Sequence, residues 1–330
     1  MSKKKLGGLG QYIGTLGALL ILCIVLTIAS DKFLSYNNIM SILKQTTFTA
    51  LCSIGMLLCL ITAGIDLSVG ANATFCACMI GMLVGKGITN PVILIAVALL
   101  AGTAIGLING LLLTRLHLPH PFVSTLGMKN FLWGAALLVT GSQMVSGFPK
   151  SVMALGTATI GGFPIGYIVV VIIYIIMHIL LTRTSLGRSI YCAGGNPEAT
   201  RLSGINSANV LTFCYTISGF MAAIAGIVSI GRSGTCNGAN AIQPYDTDAV
   251  ASCVIGGASF MGGKGTMLGT MIGALVIATL RNGFTLLAIS SAVQNMVLGL
   301  VIIAAVLLDV YRESMAASAR RREAAAKARA

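Results

Sequence analysis

Charged residues are scarce in this sequence, and acidic residues are the scarcest of them. Asp, Glu, Lys and Arg together make up 9% of the 330 residues, and only eight residues are acidic. A soluble globular domain carries about 25% charged residues, and a disordered chain combines low hydrophobicity with high charge. The composition therefore excludes an ordinary soluble enzyme and a disordered protein.

Apolar residues take the place of the missing charges. They make up 56% of the chain, the mean hydropathy is +0.93, and there are 40 glycines, a residue more frequent in membrane helices than in soluble ones. The apolar runs are long and continuous, unlike the alternating strands of a transmembrane β-barrel. The sequence thus predicts an all-α polytopic membrane protein. Since a helix needs about 20 residues to cross the bilayer, we predict about ten transmembrane helices, near residues 11–30, 46–63, 69–86, 91–113, 122–140, 164–182, 209–230, 247–262, 266–284 and 290–309.

Basic residues are concentrated at the two ends of the chain, whose net charge is +13. Lysines occupy positions 3–5, and the last twenty residues hold Arg312, Arg320, Arg321, Arg322, Lys327 and Arg329. Cytoplasmic segments of membrane proteins are rich in Lys and Arg, whereas these tails lack the fold of a nucleic-acid-binding module. We therefore predict two cytoplasmic termini, no nucleic-acid partner, one transmembrane domain over residues 1–310 and a basic cytoplasmic tail over residues 311–330.

The connections between the predicted spans agree with this orientation. The predicted inner connections hold Arg115, the group Arg183, Arg188 and Arg201, and Lys264. The outer connection after the seventh span is predicted to hold Arg232 together with Asp246 and Asp248, so its charges are largely balanced.

No catalytic constellation is evident. The three histidines (His117, His120 and His178) do not cluster with a nucleophile, and the Cys76-Ala-Cys78 pair lacks the second pair that a zinc site needs. The segment 258–265 resembles a phosphate-binding loop, but Ala258 replaces its first glycine and Gly265 its Ser or Thr. We expect no enzymatic activity and no cofactor or metal in this chain.

Asp66 is an acid between two apolar spans, in the sequence Gly64-Ile-Asp66-Leu-Ser68-Val-Gly70. An ionisable residue within a membrane is a candidate for substrate or proton binding. The same carboxylate can instead cap a helix that begins near Val69, because the flanking glycines indicate a helix break. We favour the helix-break and capping interpretation for Asp66 and Ser68.

The connection after the sixth span predicts a short capped helix. Gly194-Gly195-Asn196-Pro197 is typical of a turn, after which Asn196 can cap a helix and Pro197 can occupy its first position. Glu198 suits the positive end of that helix dipole, and Gly204 suits the position just past its end. Such a helix is either a solvated connector or a docking element, and composition alone leaves both open.

These stretches resemble the membrane permease of bacterial ABC importers for monosaccharides, the ribose, xylose and galactoside class. The similarity covers residues 11–310 and includes Ile61-Thr-Ala-Gly-Ile-Asp-Leu-Ser-Val-Gly70, Gly194-Gly-Asn-Pro-Glu-Ala-Thr-Arg-Leu-Ser-Gly-Ile205, Tyr245-Asp-Thr-Asp-Ala-Val-Ala-Ser-Cys-Val-Ile-Gly-Gly257, Gly262-Gly-Lys-Gly265 and Leu280-Arg-Asn-Gly-Phe-Thr-Leu-Leu287. The resemblance implies a second permease copy, an ABC ATPase subunit that uses the ATP, and a periplasmic or lipid-anchored sugar-binding protein. It also implies an ATPase-coupling role for the loop with Gly194, Gly195, Asn196, Glu198, Arg201 and Gly204.

The predicted function is therefore uptake of a monosaccharide, a ribose-like pentose or a hexose, across the bacterial inner membrane. The alternative is a gradient-driven secondary sugar transporter, which would need a buried proton or cation site near the midplane. Amide and indole side chains inside the spans are candidates for the sugar pathway or, equally, for helix-to-helix hydrogen bonds. These candidates are Asn109, Asn130, Trp133, Asn282 and Gln294.

Overall fold

The computed structural model describes residues 12–116 and 118–329, and it is a bundle of thirteen α-helices within these ranges. Lys3, Lys4, Lys5 and His117, which the sequence analysis considered, lie outside the described residues. The helices are α1 Ile13–Ala29, α2 Tyr36–Ile61, α3 Val69–Gly85, α4 Pro91–Thr114, α5 Pro121–Thr140, α6 Lys150–Thr157, α7 Ile165–Arg183, α8 Ser185–Gly195, α9 Pro197–Leu202, α10 Ser207–Ser233, α11 Tyr245–Ile255, α12 Met267–Leu286 and α13 Ser291–Arg329.

Short strands complete the described connections. Strand β1, Val145–Ser146, pairs antiparallel with β4, Thr235–Cys236, and β2, Thr159–Ile160, pairs antiparallel with β3, Phe163–Pro164. The first pair joins the segment after α5 to the segment after α10. Both pairs therefore lie in connections and leave the core entirely helical.

Seven helices are long and apolar enough to cross a membrane, namely α2, α4, α5, α7, α10, α12 and the first part of α13. The apolar helices α1 and α3 have 17 residues each, which is about 25 Å of helix. The eighth predicted span, 247–262, differs most from the observed helix, because α11 ends at Ile255 after 11 residues. This helix is about 16 Å long. The chain is a multi-pass membrane protein, and ten spans stay a prediction.

Helix α2 is the centre of the bundle. Every residue from Thr46 to Ile61 is buried, and α2 packs against α7, α8, α10, α11 and α12. A helix that is apolar on all sides is stable only when other helices surround it. The hydroxyls of Thr46 and Ser53 bond to the carbonyl groups one turn earlier, so this run buries them without loss of hydrogen bonds.

Glycines allow α4 and α10 to approach closely. A methyl group at Gly106 would overlap the carbonyl oxygen of Tyr215, and one at Gly219 would overlap that of Gly102. Small residues four apart permit such backbone contact between membrane helices. The GxxxG spacing of Gly102 and Gly106 is thus a packing feature, and it fixes α10 against α4.

Tyr12, which precedes α1, and Asp309 of α13 contact the same connection of the bundle. Tyr12 donates to Thr266 Oγ1 (3.2 Å), and Asp309 accepts from Ser259 Oγ (2.9 Å). Both partners belong to the connection between α11 and α12, which also contacts α8. The helix α13 continues through the predicted boundary at residues 310 and 311.

Candidate functional site

Helices α8 and α9 lie beside the connection between α11 and α12. Helix α8 packs partly into the bundle, whereas α9 is exposed except for Thr200. The side chain of Thr184 accepts from the Gly187 amide (3.1 Å) at the start of α8. At the start of α9, Asn196 Oδ1 accepts from the Ala199 amide (3.0 Å), and Pro197 occupies the first helical position. The start of α9 follows the predicted capping chemistry, because the side-chain oxygen replaces a missing helical acceptor. The cap of α8 by Thr184 was not predicted, and Gly194 and Gly195 end α8 instead of lying in the predicted turn, since the helical hydrogen bonds of α8 continue to Asn196.

The end of α9 also follows its sequence signal. The amide of Gly204 donates to Arg201 O (3.1 Å), and the amide of Ile205 donates to Thr200 O (3.2 Å). Gly204 has a φ of +76°, which glycine adopts at little cost. These two bonds form a Schellman motif, so the six-residue helix ends where the sequence predicts.

The surface of α9 presents a charge pair beside an apolar side chain. Arg201 Nη2 lies 2.7 Å from Glu198 Oε1, with exposed side-chain fractions of 72% and 68%. Leu202 is 76% exposed. An exposed pair of this kind contributes little to folding, so its charges are accessible to another protein.

A glycine-lined junction joins this segment to the central helix. A methyl group at Gly194 would overlap the carbonyl oxygen of Ile61, the last residue of α2, and the Gly263 amide donates to that same oxygen (2.8 Å). Tyr191 donates to Gly265 O (2.7 Å), and burial raises the pKa of its phenol. Helix α8 is therefore in direct contact with the end of α2 and with the turn before α12.

Asp66 lies inside the bundle and joins three helices. Its Oδ1 accepts from the amide and hydroxyl of Ser68 (3.0 and 2.6 Å), and its Oδ2 accepts from Ser218 Oγ of α10 (2.6 Å). Asn109 of α4 donates to Ser68 Oγ (2.9 Å). The helix break predicted at Asp66 is present, but the bond to the Ser68 amide precedes the first turn of α3, and no side chain caps that helix. The bond to Ser218 adds a tertiary link.

Helix α11 begins inside the bundle and is held by two ion pairs. Lys129 Nζ of α5 lies 3.0 and 2.9 Å from the two carboxylate oxygens of Asp246. Arg281 of α12 makes a bidentate contact with Asp248, at 2.6 and 2.7 Å. These acids are buried in the first turn of a helix, so the earlier placement of Asp246 and Asp248 in an outer connection is wrong. Each carboxylate meets both a cation and the positive end of the helix dipole.

The five candidate pathway residues occupy different environments. Asn109 bonds to Ser68, and Asn282 Nδ2 donates to Asn38 Oδ1 of α2 (2.9 Å). Both asparagines are buried, and their contacts favour helix packing. The side chain of Asn130 is exposed and donates to Leu126 O (3.1 Å), and the indole nitrogen of Trp133 is buried without a hydrogen-bond partner among the described residues.

Gln294 is the candidate that lines a polar cavity. This cavity has a volume of about 280 Å³ and lies between α2, α11, α12 and α13. Arg281 and Asp248 contribute to the same wall. The pathway role of all five candidates stays a prediction, and the geometry favours Gln294 among them.

Comparison with known proteins places this chain in a family. A family model described as the permease component of branched-chain amino acid transport systems matches residues 38–306. The chain belongs to this permease family. No solved structure was found to match it.

Individual family members of known name are import permeases. The chain is 38% identical over 296 residues to the ribose import permease protein RbsC of Escherichia coli. The alignment covers 88% of this chain and 91% of the relative. The chain is 36% identical to the D-allose transport system permease protein AlsC, covering 93% and 95%. It is 32% identical to the galactose/methyl galactoside import permease protein MglC, covering 88% and 91%; both are also from E. coli.

Sequence reasoning missed the ion-paired residues around α11 in this family member. Lys129 and Arg281 were present inside predicted spans, and ionisable residues at such positions are expected to have a partner in the bundle. That signal could have led to Asp246 and Asp248. The paired aromatic ring of Tyr245 had no comparable signal, because its partner Phe48 is nearly two hundred residues earlier in the chain.

Proposed function

We propose that this chain is the permease subunit of an ABC importer that carries a monosaccharide across the bacterial inner membrane. The supporting observation is the similarity to import permeases for ribose, allose and galactosides over nearly the full length of each relative. A separate subunit hydrolyses the ATP. The chain supplies the helices of the pathway and a contact surface for that subunit.

The exposed helix α9, together with the end of α8 that precedes it, is the proposed ATPase contact. Glu198, Arg201 and Leu202 combine opposite charges with apolar area on a helix whose two ends are fixed by capping bonds. The glycine junction at Gly194 connects this surface to α2 and to the turn before α12. ATP-driven movement of a bound subunit would therefore reach the helices that surround the polar cavity.

A gradient-driven transporter is the disfavoured alternative. It would need a buried group free to bind a proton or a cation near the midplane. Asp246 and Asp248 are each ion-paired, and Asp66 accepts hydrogen bonds from two serines. The three buried acids are thus engaged in structural contacts, which supports an external energy source.

The remaining partners follow from the importer assembly. A periplasmic or lipid-anchored sugar-binding protein delivers substrate to the end of the bundle opposite α9, and a second permease copy completes the membrane part. Lipid covers the exposed apolar side chains of α1 and α7, such as Ile21, Ile28, Ile172 and Ile176. Both termini and α9 face the cytoplasm in this arrangement.

Reconstitution tests the function. With its ATPase and binding protein in liposomes, the chain should support ATP-dependent, vanadate-sensitive monosaccharide uptake. Without them it should neither hydrolyse ATP nor concentrate sugar. Gradient-driven uptake by the chain alone, or ATP hydrolysis by a homogeneous preparation of it, would overturn the proposal.

A topology measurement tests the orientation. A reporter fused near Lys150 or Arg232 should report the outer side, because both positions lie at the end of the bundle opposite α9. A cytoplasmic signal from either position would contradict the arrangement.

Charge reversal tests the coupling surface. Glu198→Lys places a cation at the positive end of α9 and reverses a proposed contact, so uptake should collapse and the ATPase should co-purify poorly. Membrane abundance should stay near that of the parent, since the side chain is exposed. The matched control is Asp31→Lys, which reverses an exposed acid at the opposite end of the bundle and should leave ATPase binding intact. Normal uptake with bound ATPase in Glu198→Lys would make α9 a solvated connector.

A further inference from the structure

Two polar cavities meet at an aromatic pair deep in the bundle. The larger has a volume of about 280 Å³ and the smaller about 220 Å³, and both are lined by Phe48, Tyr245 and Arg232. The rings of Phe48 and Tyr245 contact edge to face, with centroids 4.7 Å apart and an interplanar angle of 63°. Phe48 is close to the middle of α2, about 18–20 Å from either end of that helix.

The position of Tyr245 is fixed from several sides. It is the first residue of α11, and it precedes Asp246, which pairs with Lys129. A methyl group at Gly70 of α3 would lie 2.7 Å from Tyr245 Cβ, so the helix start and α3 are in close contact. The aromatic ring of Tyr245 therefore lies between the two cavities and lines both of them.

The lining of the larger cavity is rich in groups that suit a polyhydroxylated ligand. Its amides, hydroxyls, carboxylate and guanidinium groups come from Gln45, Thr49, Arg232, Gln243, Asp248, Arg281, Thr285 and Gln294. Gln45 Nε2 donates to Ser41 Oγ (3.3 Å) and Gln294 Nε2 donates to Ile289 O (3.0 Å). Each amide keeps a second hydrogen and a carbonyl oxygen, which match the donating and accepting hydroxyl groups of a sugar. The aromatic rings supply an apolar surface beside these groups, as ligand sites commonly do.

The volume of the cavity and its polar lining narrow the class of ligand that it can hold. The volume far exceeds the roughly 10–15 Å³ that one water needs. Arg232 has no ion pair or hydrogen bond among the described residues, so its guanidinium is available as a donor at the shared wall. A branched-chain amino acid would need an apolar pocket for its side chain, and here polar residues predominate.

We propose that the larger cavity is a binding subsite for a monosaccharide, bounded by the Phe48–Tyr245 pair. The subsite rests on the proposed import function and adds where in the chain the sugar binds. Gln45 and Gln294 approach it from α2 and α13 and line only this cavity of the two. They bind sugar hydroxyls, and Tyr245 separates the subsite from the second cavity.

Paired glutamine variants test the subsite in the complete importer. Gln45→Ala and Gln294→Ala should each lower the rate of ribose uptake by about tenfold, the scale of a lost hydrogen bond to the sugar. Stimulation of ATP hydrolysis by the binding protein should persist, because docking is unaffected. The matched control is Gln143→Ala, an exposed glutamine outside both cavities, which should transport at the parental rate.

Chemical labelling gives a second measurement that does not depend on transport. In the complete importer, Thr285→Cys places a thiol in the cavity wall. Labelling of the parent importer measures the contribution of the native cysteines. Ribose should slow its reaction with a membrane-impermeant maleimide, and leucine should not.

The outcomes separate the two proposals. The subsite proposal would be wrong if both glutamine variants took up ribose at the parental rate. It would also be wrong if the introduced cysteine were not labelled, or if ribose did not slow its labelling. If the parent importer carries leucine and no monosaccharide, the import function itself is wrong.

Discussion

Helices α9 and α11 carry similar charges in opposite environments. Both are short, and both have acidic residues in the first turn that form ion pairs. In α9 the acid is 68% exposed, whereas the paired acids of α11 are 5% and 7% exposed. Water screens the first pair and leaves it available to a partner. The buried pairs instead fix where α11 begins, because an unpaired charge there would be costly.

The largest effect should come from breaking a buried pair. Lys129→Met leaves Asp246 buried without its cation, which should lower the free energy of unfolding by about 3–5 kcal/mol. Denaturant titration in detergent measures this loss.

The control for this prediction removes both charges. Lys129→Met combined with Asp246→Leu should recover most of the stability, because no uncompensated charge is left. If the single variant is as stable as the parent, the buried pair does not fix α11.

A smaller loss should follow when a buried carboxylate loses one donor. Ser218→Ala removes the 2.6 Å bond to Asp66 and keeps both bonds from Ser68. The expected destabilisation is about 1–3 kcal/mol, measured by the same titration. Ser233→Ala, at an exposed site on the same helix, should stay within about 0.5 kcal/mol of the parent. Equal losses of stability in the two variants would show that the bond between Ser218 and Asp66 does not stabilise the tertiary structure.

The difference between α9 and α11 also explains which of the two helices the sequence could predict. The cap, first turn and end of α9 depend on residues within about ten positions, so Asn196, Pro197 and Gly204 were sufficient to place it. The start of α11 depends on contacts with α5 and α12, to which the local sequence gives no guide. An apolar run was consequently predicted as a full span, although its helix has 11 residues.

The same distinction applies to the candidate site. The start and end of the exposed helix α9 were predicted correctly, since local backbone chemistry determines them. The polar cavity forms where residues from α2, the segment before α11, α12 and α13 converge, and only Gln294 among its lining residues was a candidate. Hydrogen-bonding capacity alone did not distinguish Gln294 from Asn109 and Asn282, whose partners lie on neighbouring elements.

A local effect is expected from the cap of α9. Asn196→Ala removes the bond to the Ala199 amide and should destabilise this helix by about 1 kcal/mol. Hydrogen exchange of amides in α9 should accelerate, while global unfolding stays unchanged. The matched control is Asn206→Ala, which removes the equivalent cap of the long, packed α10 and should affect the exposed first turn alone. Loss of global stability in Asn196→Ala would show that α9 supports the bundle.

The smallest effect should come from the exposed pair itself. Arg201→Gln removes one charge from α9 but leaves Glu198 in water, where solvent replaces the lost contact. Stability should therefore change by less than about 0.5 kcal/mol, and added salt should abolish the difference, since it screens exposed charges. Unfolding titrations at low and high salt measure both effects. A loss of stability comparable to that of Lys129→Met would mean that the exposed pair of α9 stabilises the fold as much as the buried pair of α11 does. The charges of α9 would then contribute mainly to folding and not to the binding of a partner.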